Sequence, residues 1–110
     1  MSADACVAFY GLRFEVSRSE IERLEARSDA RMIAARRAGL EHFWGNFAAP
    51  AERYCLFVGA QLAILGPENK AEFALPSHHL LALMESTKAK LQTAGLPGDP
   101  SLYLQWEPDV

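Results

Sequence analysis

The run Cys6-Val7-Ala8-Phe9-Tyr10-Gly11-Leu12-Arg13-Phe14-Glu15-Val16 places an apolar or aromatic residue at every even position, with Arg13 and Glu15 facing the other way. A period of two is the spacing of side chains on one face of a strand, so the run predicts a long first strand. Gly11 is read as a possible bulge, in which case Val7 and Phe9 replace the even positions on the core face before it. Ser17-Arg18-Ser19-Glu20-Ile21 then breaks the alternation. Ser17 with Glu20 three residues on has the form of a capping box, and Val16 with Ile21 that of a hydrophobic staple. A strand that passes directly into a capped helix is the signature of a mixed domain.

Outward from that junction the same logic continues. Ile21 and Leu24 give the first helix a narrow apolar stripe, and Ser28-Asp29 offers a cap for a second helix through Met32, Ile33 and Arg36. Gly39 followed by Leu40 suits a left-handed cap with an apolar residue behind it. Glu41-His-Phe-Trp-Gly-Asn-Phe47 fits a hairpin, a last helical turn or an ordered loop equally well. Arg53–Val58 and Gln61–Leu65 predict two strands joined at Gly59-Ala60 by a type II′ turn. A further strand is expected after Gly66-Pro67-Glu68-Asn69, with Phe73 and Leu75 on one face. Ser77 is expected to cap a helix with Leu80, Leu81, Leu83, Met84, Thr87 and Leu91 on one side, and Gly95-Leu96-Pro97 to end it. Leu102, Leu104 and Trp106 alternate with Tyr103, Gln105 and Glu107 in a last strand.

The predicted fold is a single α+β domain spanning residues 1–110. A mostly antiparallel sheet of about five strands carries two or three helices on one face, an order that resembles the ferredoxin-like arrangement with an added strand. Phe14, Val16, Ile21 and Leu24 align at constant offset with Phe73, Leu75, Leu80 and Leu83. Alternating strands followed by capped helices produce such an echo for physical reasons alone.

The 110 residues are 50% hydrophobic and 23% charged, which is the composition of one globular unit that buries a core without staples. A formal net charge of -3 leaves no global positive field for nucleic acid. Seven of the eight arginines fall between Arg13 and Arg37, but Glu15, Glu20, Glu22, Glu25 and Asp29 are interleaved with them. That mixing reads as a solvated, ion-paired surface. The apolar runs are too short for a membrane span, the first five residues lack the form of a secretory signal, and Cys6 and Cys55 sit in apolar segments. A cytoplasmic setting is expected, with no membrane and no nucleic acid as partner.

No motif fixes a chemistry. His42, His78 and His79 have no metal-ligand spacing, and glycine-rich phosphate loops and nucleophile elbows are absent from the chain, so no catalytic residue, metal or cofactor is assigned. Cys55 beside Tyr54 and Arg53 fits either a thiol–imidazole pair with His42 or a small buried hydrophobe. The segment His42 to Phe47 carries more aromatic area than a connection needs. Phe43, Trp44, Asn46 and Phe47 are therefore the expected contact segment of a non-enzymatic, self-associating binding protein, a homodimer or one with another protein partner. The alternative is a small-molecule site or enzyme around His42, Trp44 and Tyr54, with Arg53, Glu41 or Cys55 nearby. An uncovered sheet face carrying Tyr54, Phe57, Leu62, Leu65 and Tyr103 or Trp106 would serve the first reading.

Overall fold

A computed structural model describes residues 4–108. The first three residues, read above as part of a start without a leader, lie outside them. Seven elements follow in order: β1 (Ala5–Val16), α1 (Arg18–Glu25), α2 (Ala30–Arg37), β2 (Glu41–Asn46), β3 (Tyr54–Leu65), α3 (Ser77–Ala94) and β4 (Ser101–Glu107). The four strands form one antiparallel sheet in the order β2-β3-β1-β4. This is the ferredoxin-like order, with its first crossover helix split into α1 and α2. None of the helices of the described residues is long and apolar enough to cross a membrane.

The local signals act as expected at the starts of α1 and α2 and at the end of α3. Ser77, however, does not cap α3: it is the first helical residue, Pro76 holds the cap position, and no side chain caps that end. The Ser17 amide donates to Glu20 Oε2 at 2.7 Å, and the Asp29 carboxylate accepts the Arg31 amide at 2.8 Å, starting α1 and α2. Asp29 is buried, yet the Arg31 side chain and the amide hold its carboxyl below the usual range. Gly39 and Gly95 take positive φ, and the amides of Leu40 and Leu96 turn back to the carbonyls of Ala35 and Leu91.

Three expectations are corrected. The strands proposed on either side of Gly59-Ala60 are one strand, because Gly59 lies directly opposite Gly11 in the middle of the β1–β3 ribbon. Both have φ near +155°, and a side chain on either would overlap the carbonyl oxygen of Val58 or Tyr10. Glycine is required there by close approach of two backbones, which locally resembles a turn signal. The bulge falls not at Gly11 but at Leu62, where Ala8 pairs with Ala63 and Phe9 with Gln61. The added strand at Phe73 and Leu75 does not form. Pro67 and Pro76 bracket that segment, and its link to the sheet is a single bridge between Leu65 and Lys70. The sheet therefore has four strands instead of five. The internal echo fails with it: matching β1 to β3 sets Phe14 against Ala63, not Phe73.

Two cores lie on opposite faces. Leu12, Val16, Leu56 and Val58 pack under Leu24, Met32, Ala35 and Leu91 from the three helices. The other face holds Val7, Phe9, Cys55 and Phe57, covered by Phe47, Phe43 and Tyr103 without any helix. Phe57 has no exposed surface and meets the rings of Phe9, Phe47 and Tyr103 at 5.4, 5.4 and 5.5 Å. Such tilted and edge contacts are the favoured geometry for aromatic pairs. The Glu107 carboxylate of β4 lies over Gly45 of β2, so the sheet coils around this second core.

Candidate functional site

The aromatic segment 42–47 is β2 plus its exit, and its alternation divides the candidates between the two faces. Trp44 turns to the helix side, where its ring lies 6.4 Å from that of Tyr54. Phe43 and Phe47 turn to the other side, 6.2 Å apart, and Phe47 is buried. Asn46 organises the connection to β3: its side chain donates to Ala51 O at 2.9 Å and accepts the amides of Ala48 and Arg53. His42 is half-buried, and loss of hydration, followed by the charges of Arg36 and Arg27, lowers its pKa.

Trp44 and Tyr54 come together, whereas Arg53 and Glu41 line different crevices. Arg53 and Tyr54 line a crevice of about 270 Å³ with Glu15, Arg18 and Glu52. Its charges are matched internally, by the Arg18–Glu52 pair and by Arg53 Nε on Glu15 Oε1 at 3.0 Å. Glu41 belongs to a different crevice, between α3 and the middle of the sheet. Cys55 has no exposed surface, and its thiol donates to Glu15 Oε2 at 2.9 Å. Burial, with that hydrogen bond, pushes the thiol up to about 11. A thiol held protonated and covered is no nucleophile at neutral pH. The rings of His78 and His79 lie 4.1 Å apart and tilted by 55° on the first turn of α3, and both residues are exposed.

The surface that stands open lies elsewhere. Leu102, Leu104 and Trp106 of β4 are 51%, 68% and 52% exposed, three large apolar side chains in a row along one face of an edge strand. Their neighbours on β1 are Tyr10, Ala8 and Cys6. The strand reads Ser-Leu-Tyr-Leu-Gln-Trp-Glu, without lysine, arginine or proline, and it pairs with β1 without a bulge. Edge strands are ordinarily blunted by such charges, prolines or bulges. The sequence signal was present, as an alternating Leu-Leu-Trp row, but alternation alone does not tell which face a helix will cover. Comparisons of the chain with protein families, with curated proteins and with solved structures return no match.

Proposed function

We propose that the protein is a non-enzymatic binding module that self-associates, two copies pairing β4 against β4 in antiparallel fashion about Leu104. The observation that carries this is the exposed Leu102, Leu104 and Trp106 row on an unprotected edge. About a two-fold axis at Leu104, Leu102 of one copy stands opposite Trp106 of the other, and Ser101 opposite Glu107. The exposed row pairs apolar with apolar, Tyr103 stands opposite Gln105, and no like charges meet. The product is an eight-stranded sheet in which the exposed row is doubled and its central members are shielded. The two cysteines, both free, suit a reducing cytoplasm.

Light scattering across a dilution series tests the reading. The expected mass is twice 12.2 kDa at high concentration, falling to the monomer in Leu104→Lys, whose circular dichroism stays that of the wild type. A monomer at every concentration, or an unaltered dimer in Leu104→Lys, would overturn it.

A further inference from the structure

We propose that the crevice between α3 and the start of β2 binds a free α-amino acid. The crevice holds about 280 Å³ and is bounded by Glu41 and Gly59 on the sheet side and by Leu83, Ser86, Thr87 and Lys90 on α3. It lies across β3 and β1 from β4, so the inference is independent of self-association.

Thr87 is the first reason. It is 3% exposed, yet among the described residues its hydroxyl has no hydrogen-bond partner, whereas Thr93 in the same helix donates to the Ala89 carbonyl at 3.1 Å. A helical threonine has that carbonyl within reach by default, and Thr87 does not use it. Among the described residues no fully enclosed polar side-chain atom lacks a partner. The Thr87 hydroxyl is therefore reachable from solvent, and Thr87 is one of the residues that line the crevice.

The charges are the second reason. Glu41 is held in place by accepting the Gln61 amide on Oε1 at 3.0 Å, which leaves its other oxygen for a ligand. Lys90, one turn beyond Thr87 on the same side of α3, forms no ion pair among the described residues. An acid and a base thus line one small concavity without closing on each other. A ligand that is only anionic meets Glu41, and one that is only cationic meets Lys90, so each is opposed by one wall. A molecule carrying both charges a short distance apart satisfies both, with its ammonium on Glu41 and its carboxylate on Lys90 and the hydroxyls of Ser86 and Thr87. Leu83 supplies an apolar surface for the ligand's side chain, and a crevice of this size accommodates a single amino acid.

The full chain is screened against the twenty free amino acids by thermal shift, and those that raise the melting temperature are titrated calorimetrically. The matching amines without the carboxylate, and acids without the amine, serve as comparisons. At least one amino acid is expected to bind while its amine and acid counterparts do not. Thr87→Val, which keeps the shape, is expected to weaken that binding roughly fivefold to tenfold while leaving the ligand-free melting temperature unchanged or higher. Glu41→Gln and Lys90→Met are each expected to weaken it by more than roughly tenfold. The proposal is overturned if no amino acid binds, if the amine or acid binds equally well, or if Thr87→Val binds as tightly as the wild type.

Discussion

The two edge strands, β2 and β4, are nearly equal in length and each carries a tryptophan, but they differ in what lies over them. β2 is rich in aromatics and is packed from both sides: Trp44 lies against Tyr54 under the helices, and Phe43 against Phe47 over the second core. β4 commits only Tyr103 to a core, where it meets Phe57, and leaves Leu102, Leu104 and Trp106 outside. Aromatic density therefore marks the structural edge of this sheet, and the plainer strand is the one with surface to offer a partner. The second core explains why: the face of this sheet without helices is apolar, and residues 43–47 help to cover it.

The largest expected effect removes the comparison altogether. Gly11 and Gly59 join the half of the ribbon that pairs with β2 to the half that pairs with β4. A methyl group on Gly59 would meet the Tyr10 carbonyl oxygen, and φ near +154° is strained for any L side chain. Gly59→Ala is expected to lose more than about 4 kcal/mol, enough to unfold most small domains. Circular dichroism and soluble yield measure it, and a wild-type melting curve would refute the close-approach argument.

Next come variants that separate the two edges. Phe47→Ala empties a buried site against Phe57 and is expected to cost about 3–5 kcal/mol in urea unfolding, with the mass in solution unchanged. Trp106→Ala, on an exposed position, is expected to alter monomer stability by no more than about 0.5 kcal/mol while weakening association. If Phe47→Ala changed the mass and Trp106→Ala only the stability, the roles assigned to the two edges would have to be exchanged.

What the sequence disclosed follows from the range of each interaction. The capped starts of α1 and α2, the Gly95 stop of α3 and the alternation of β1 and β4 are set by residues within a few positions of one another, and all were legible. The continuity of β3 was not, because the reason for Gly59 is Gly11, a partner remote in sequence. Nor was the burial of Phe57: an uncovered face carrying it was expected, and Phe47 and Tyr103 close over it instead. Leu81 was placed on the apolar side of α3 but is 57% exposed, since helical spacing locates a face without fixing how much of it the sheet covers. The same limit hid Thr87, whose position on the buried side was predicted but whose missing partner is a tertiary fact.

The smallest effect concerns the two cysteines, one beneath each edge: Cys55 pairs with Gly45 of β2, and Cys6 with Trp106 of β4. Cys55 is sealed and Cys6 half-buried, so alkylation of the native protein at neutral pH is expected at Cys6 first. The raised thiol of Cys55 also has a consequence for stability. The folded state keeps the proton up to about 11, whereas an unfolded cysteine releases it near about 8.5. The folded state therefore binds more protons between these values, and the stabilisation is fully present below the lower one and lost as the pH rises toward the upper. Tyrosines and lysines titrate in the same region, so the informative quantity is the difference between wild type and Cys55→Ala. The variant is expected to start from lower stability because of the small cavity, and to lose less on going from neutral to alkaline pH. Parallel urea curves with no pH-dependent difference would mean that Cys55 is as hydrated as Cys6, and that the edge beneath which it lies is no better sealed than the other.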